Sequence, residues 1–178
     1  MARTTQRHRT AFALIGLTAA LATGLAAWTG TSWYAAAHDD SAAFAHTRDE
    51  VLAAGEQAVQ NLNTLDHREL EHDLDTWERS ATGDLLAELR EGRDAFADQV
   101  RKARTVTTAE VLSGAVTDLD EREGRAGVLI AVRITVDAPK AEPSSKQARL
   151  LGELTRTGDG WKLSGLGQAP AGDTTAQQ

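Results

Sequence analysis

The sequence predicts an α+β fold that follows a long uncharged segment near the N-terminus. Between residues 41 and 104, apolar residues recur in three stretches with the 3.6-residue period of amphipathic helices. From residue 105 the period changes to two, and threonine and valine become frequent, which is typical of strands. Because helices precede strands, we expect helices packed on one face of a curved antiparallel sheet, in the shape of a cone.

The uncharged segment predicts a membrane anchor. Residues 10–37 are 28 residues without a charge, and residues 11–28 would rise about 27 Å as a helix, close to the thickness of a bilayer core. Three arginines precede the segment and two aspartates follow it, which predicts a cytoplasmic arm at 1–10 and a single transmembrane span at 11–37. The domain after the span is then extracytoplasmic. The predicted anchor side chains are Phe12, Leu14, Ile15, Leu17, Leu21, Leu25 and Trp28.

The same segment has a second interpretation as a cleaved signal peptide, since Ala35–Ala37 offers a small-residue cleavage site. Signal peptides have apolar regions of about 7–15 residues, so the greater length here favours a retained anchor. Gly16, Ala20 and Gly24 recur every four residues, which predicts a helix–helix contact in the membrane. A segment rich in alanine and glycine also produces this spacing by chance.

Three helices are predicted after the anchor. The first covers about residues 41–63, the second 66–79 and the third 82–104. Asp66 and Glu69 resemble a capping box, which would place the start of the second helix at Asp66.

Four strands complete the predicted domain at residues 38–167. They begin near residues 105, 128, 147 and 161, with a bend at Gly114, a loop at 138–145 that holds Pro139 and Pro143, and a tight hairpin at 158–160. The polar residues 168–178 predict a disordered tail. Strict alternation of β-branched residues makes the second strand the clearest of the four, with Val128, Ile130, Val132, Ile134 and Val136 on its inner face.

Charge and cysteine content exclude several classes of function. Residues 38–178 carry 16 basic and 26 acidic side chains, a net charge of −10. Such a surface argues against nucleic acid and anionic lipid headgroups as partners. The chain has no cysteine, which excludes thiol enzymes and thiolate metal sites.

Four short motifs occur in order within residues 48–166: AVQNL at Ala58–Leu62, DHR at Asp66–Arg68, ATGD at Ala81–Asp84 and GWKL at Gly160–Leu163. Together with the basic start and single span, they resemble the Mce-associated membrane proteins of high-GC Gram-positive bacteria. The resemblance implies an NTF2-like, or cystatin-like, cone that is also similar to the periplasmic domain of VirB8-type secretion proteins.

The resemblance implies a function as well. It points to an accessory or scaffold protein of the cell envelope, beside Mce-type lipid or sterol import, with Mce complex subunits, other membrane proteins or lipid as partners. One alternative is a secretion-type assembly protein similar to VirB8, and another is an NTF2-like isomerase that uses a pocket in the cone. A homo-oligomer is a further expected partner, and a dimer of the exterior domain would favour the secretion-type alternative. Because the family has no agreed catalytic motif, the resemblance assigns no site residue and no cofactor to this chain.

Residues of catalytic type do not form a recognisable motif. His67 and His72 are about 140° apart on a helix, so we expect them, with Glu69 and Glu71, to form a solvated surface. His38 lies beside Asp39 and Asp40, and these three residues could form a weak metal-binding site. A polar turn next to the membrane is the simpler interpretation. We therefore predict no catalytic residue, no metal site and no cofactor.

Four large apolar residues are candidates for a lipid-sized pocket, namely Trp77, Phe96, Ile130 and Trp161. Ordinary core packing is the alternative interpretation for all four.

Overall fold

The computed structural model describes residues 40–139 and 141–170. The predicted cytoplasmic arm, most of the predicted tail and His38 lie outside these residues, as do the anchor positions Phe12, Leu14, Ile15, Gly16, Leu17, Ala20, Leu21, Gly24, Leu25 and Trp28. Within the described ranges, no helix is both long enough and apolar enough to cross a membrane. The chain divides into two compact units, residues 1–45 and 46–178, and the first is described only from residue 40.

The described chain has three helices and a five-stranded sheet. Every neighbouring pair of strands is antiparallel, and the strands follow chain order across the sheet. The predicted α+β architecture is therefore confirmed, with one short strand more than expected. The elements are α1 (Asp40–Leu62), β1 (Leu65–Asp66), α2 (Leu70–Ser80), α3 (Gly83–Ala103), β2 (Val106–Asp120), β3 (Arg125–Ala138), β4 (Ala141–Thr157) and β5 (Gly160–Gln168).

The main core lies between α1 and the inner face of the sheet. The alternating residues of β3 point into it, as predicted, and Val128, Ile130 and Val132 are fully buried. Because Gly152 carries no side chain, β4 can pass close to its neighbours at that position; a Cβ there would lie 2.9 Å from Leu163. The other large side chains that are less than 2% exposed are Val51, Val59, Leu154 and Leu163.

The predicted start of α2 at Asp66 is wrong. Asp66 lies in β1, where it pairs with Val106 of β2, and the helix begins four residues later at Leu70. The Asp66 carboxylate accepts hydrogen bonds from the backbone N–H of Arg68, at 2.8 Å, and from its guanidinium. Glu69 precedes the helix without a side-chain capping bond. Pairing with a distant strand thus outcompetes the local capping pattern.

Irregularities in the long strands also differ from the prediction. The predicted loop at 138–145 is mostly strand, and Pro143 lies where the pairing of β3 with β4 shifts register between Val136–Ser144 and Ala138–Ala141. Proline is tolerated at such a bulge because no ladder hydrogen bond is required of it. In β2 two register shifts fall at Leu112 and Thr117, whereas Gly114 keeps its regular pairing with Ile130. β5 extends to Gln168, the first residue of the predicted tail.

Candidate functional site

A second hydrophobic cluster joins α2 to α3 and is separate from the main core. The sequence spacing of Leu70, Leu74 and Trp77 puts one apolar stripe on α2, as an i, i+4, i+7 pattern must. That stripe packs against Ala97 and Val100 of α3, and all of these except Trp77 are buried. Leu65 of β1 is the one buried member of this cluster that the sheet contributes, so most of the cluster is made by the two helices alone.

An apolar pocket of about 210 Å³ opens in this cluster. The rings of Trp77 and Phe96 meet with their centroids 5.3 Å apart, and Phe96 is 36% exposed. The Trp77 indole N–H donates a 3.0 Å hydrogen bond to the carbonyl oxygen of Thr64, which holds the ring in place. Leu74, Leu89 and Gly92 complete the apolar wall.

Arg93 closes one flank of the pocket with a network of ion pairs. Its guanidinium donates to Glu71 at 2.9 Å, Asp75 at 2.8 Å and Glu78 at 2.6 Å, so a single side chain of α3 holds three carboxylates of α2. Glu78 also accepts from Arg90 at 3.0 Å. Hydrogen bonds donated by Arg90 and Arg93 lower the pKa of Glu78, and the hydrogen bonds that Arg93 donates to Glu71 and Glu78 raise the pKa of Arg93.

The other flank is acidic. Glu88 lines the pocket and lies about 140° from Arg93 around α3, and Glu91 follows one turn later on the same side. Among residues 40–139 and 141–170, neither glutamate has an ion-pair partner. The pocket therefore has a neutralised flank and a flank of uncompensated negative charge.

The four predicted pocket residues do not share one site. Trp77 and Phe96 line the pocket together, whereas Ile130 is fully buried in the main core. Trp161 packs against that core, with the guanidinium of Arg156 5.8 Å from its ring centroid. Sequence reasoning missed the contribution of Gly92, although a glycine inside a helical pattern is itself a signal of unusual packing or function.

His67 and His72 lie apart from the pocket lining. Nδ1 of His67 is buried without a hydrogen bond, 3.6 Å from Oδ1 of Asp66, and the pKa of Asp66 is lowered to about 2, chiefly by hydrogen bonds from Arg68. His72 is exposed on α2. Neither of these histidines pairs with Glu69 or Glu71 among the described ion pairs. Within the part of the chain that the structure describes, no group of three or more potential ligands could hold a metal ion.

Several solved structures share this fold. An IcmL-like type IV secretion system protein from Legionella pneumophila has a TM-score of 0.57 at 12% identity, over 70% of this chain and 93% of that chain. The periplasmic domain of DotI has a TM-score of 0.56 at 16% identity, over 68% and 94%. VirB8 from Agrobacterium tumefaciens has a TM-score of 0.55 at 9% identity, over 71% and 95%. At these identities the likeness shows the fold alone.

Sequence comparison identifies the family. No curated protein sequence matches the chain. A family model described as "Uncharacterized protein Rv1363c/MT1408-like" matches residues 12–170, which is most of the chain and includes all of the described residues. The chain therefore belongs to the Rv1363c/MT1408-like family.

Proposed function

We propose that the chain is a non-enzymatic assembly protein of a cell-envelope complex, held by residues 11–37 in the membrane with its domain outside the cytoplasm. The observation that carries this proposal is the solid interior of the cone. Val51, Ile130 and Leu163 meet there at 0% exposure, and every buried residue of this core that the structure describes is apolar. An NTF2-like isomerase would need an acid or a base inside that cone. A filled apolar interior favours a module that binds through its surface.

The solved neighbours favour a secretion-type assembly over the other envelope functions. One is named as a type IV secretion system protein and another as a periplasmic domain. The predicted topology, with three arginines before the span and none directly after it, favours a position of the domain outside the cytoplasm. We therefore assign this chain the role of a membrane-anchored scaffold whose partners are other envelope proteins.

Mce-type lipid or sterol import is the second candidate, supported by the ordered motifs at Ala58–Leu62 and Gly160–Leu163. The family description names no Mce protein, and the secretion-type neighbours have no bearing on this association. The α2–α3 pocket, at about 210 Å³, is smaller than the roughly 300–1,000 Å³ of sites that hold drug-sized ligands. A scaffold role beside a lipid importer would therefore rest on protein contacts rather than on this pocket as a carrier of lipid.

The proposed topology is testable with a single introduced cysteine, because the chain has none of its own. Asp159 lies at the β4–β5 hairpin with 84% of its side chain exposed, so an Asp159→Cys substitution presents an accessible thiol. A membrane-impermeant maleimide should label this variant in intact spheroplasts. Thr4→Cys, in the predicted cytoplasmic arm, should be labelled only after lysis. The reverse pattern would overturn the topology and the proposed function with it.

The partner class is tested by affinity purification of the full chain from detergent-solubilised membranes, followed by mass spectrometry of proteins and lipids. Envelope assembly proteins recovered in stoichiometric amounts are the expected result. Mce subunits in their place would establish the second candidate. A tagged protein with the same span and an unrelated exterior domain is the control for detergent carry-over. Recovery of no partner above that control would overturn the assembly function.

A further inference from the structure

We propose that the pocket between α2 and α3 receives one bulky apolar side chain from a basic segment of a protein partner. This inference rests on the proposed assembly function and names the surface through which it acts. The site is the apolar wall of Leu74, Trp77, Leu89 and Phe96, bordered by Glu88.

The size and lining of the pocket select the occupant. A volume of about 210 Å³ suits a single large side chain, because larger ligands occupy roughly 300–1,000 Å³. Binding energy at protein interfaces concentrates at a few such anchors, where an aromatic or apolar group fills a desolvated pocket. Phe96 would then lose its 36% exposure on binding.

The pocket is organised before any partner arrives. The hydrogen bond from Trp77 to Thr64 fixes the ring, at 3.0 Å between the indole nitrogen and the carbonyl oxygen. Arg93 holds the two helices together through Glu71, Asp75 and Glu78. A site whose walls are already ordered costs little conformational entropy when it is filled, so even a small anchor can contribute measurable affinity.

Charge complementarity selects a basic partner. The cations near the pocket are already used, because Arg93 and Arg90 are paired with acids of α2. Glu88 and Glu91 remain uncompensated on the open flank, among the residues that the structure describes. A lysine or arginine beside the apolar anchor would therefore be attracted to these glutamates when the anchor enters the pocket. A second copy of this chain would instead bring a domain of net charge −10.

Gly92 allows the pocket to be filled without disturbing the fold. It lies inside α3 and lines the pocket, and a Cβ added there would meet no atom within 4 Å. Gly92→Leu should therefore occupy the pocket while improving the helix, since glycine is a poor helix former. Ala87→Leu is the matched control, because Ala87 is exposed on α3, about 180° around the helix from Phe96.

The first experiment compares partner recovery by the full-length wild-type chain and by these two variants, with melting of each variant as a folding check. Gly92→Leu should lower recovery by about tenfold or more, as expected for the loss of an anchor. Ala87→Leu should leave recovery unchanged. Glu88→Lys should also lower recovery, and Glu88→Gln should lower it less. Equal recovery by Gly92→Leu and Ala87→Leu would overturn the pocket proposal and leave the assembly function standing.

The second experiment identifies what enters the pocket. Benzoylphenylalanine at position 96 of the full chain should crosslink, in membranes, to a segment of another protein that holds a bulky apolar residue beside lysine or arginine. The same group at Leu151, an outward residue of β4 with 40% exposure, should not crosslink to that segment. A crosslink to lipid, to an acidic segment or to a second copy of this chain would overturn the proposal. If the wild-type chain recovers no partner, both the assembly function and this inference fail.

Discussion

The two hydrophobic clusters of the domain are closed in different ways. The main core lies between α1 and the sheet, where residues such as Ile130 and Leu163 reach 0% exposure without the help of any charged group. The α2–α3 cluster takes only Leu65 of β1 from the sheet, leaves the neighbouring Phe96 36% exposed, and is held at its edge by the ion pairs of Arg93. Burial of apolar side chains therefore stabilises the main core. The α2–α3 cluster leaves part of its apolar surface exposed, and this surface forms an open pocket.

The largest expected effect on stability comes from a cavity in the main core. Ile130→Ala should lower the free energy of unfolding by about 2–5 kcal/mol, because the fully buried side chain leaves a void that its neighbours cannot fill. Urea denaturation followed by tryptophan fluorescence measures this loss. Leu89→Ala, at the edge of the pocket, is the counterpart in the α2–α3 cluster and should lower the free energy of unfolding by clearly less. Equal losses would contradict the difference between the clusters.

A pair of glycine substitutions should give opposite signs in the two clusters. Gly152→Ala should lower the free energy of unfolding by about 1–3 kcal/mol, since its methyl group would lie 2.9 Å from Leu163 and 3.0 Å from Val128. Gly92→Ala should raise it by up to about 1 kcal/mol, because α3 gains a better helix former in open space. Thermal unfolding of the two variants measures both changes. A stabilising Gly152→Ala would show that the main core is looser than described.

The ion-pair network should contribute less than either core. Arg93→Gln removes the contacts to Glu71, Asp75 and Glu78 and should cost about 1 kcal/mol, because partly exposed ion pairs are screened by water. Arg48→Gln is the control, since Arg48 pairs only with its neighbour Asp49 at the surface among the described ion pairs. Chemical denaturation in low and high salt measures the loss of unfolding free energy in both variants, and the loss in Arg93→Gln should shrink as salt is added. A loss that salt does not reduce would argue against an electrostatic origin.

The smallest effect is a local response to acid. The lowered pKa of Glu78 means that its stabilising contribution is fully present above its unfolded pKa of about 4.3, and is lost as the pH falls through the lower folded value. Hydrogen exchange, corrected for the intrinsic pH dependence, should show α2 and α3 losing protection in acid before β3 does. Glu78→Gln should remove part of this response. Loss of protection in β3 at the same pH as in α2 would contradict it.

The candidate site was only partly predictable from sequence. Trp77 and Phe96 were predicted as pocket residues, and they do meet, because each lies on the apolar stripe of its own helix. Ile130 and Trp161 were grouped with them on residue type alone, which carries no information about which cluster a side chain joins. The local sequence pattern does not mark Arg93, since its three partners belong to another helix.

Local pattern by itself determined the helices, the strict alternation of β3 and the β4–β5 hairpin, because each depends on residues that are neighbours in the chain. Only the tertiary structure decided that Asp66 belongs to a strand, that Pro143 lies in a bulge, and that two aromatic rings share a pocket. These features depend on contacts between residues far apart in sequence. Their free energy outweighs local preference, and a periodicity of 2 or 3.6 residues does not encode it.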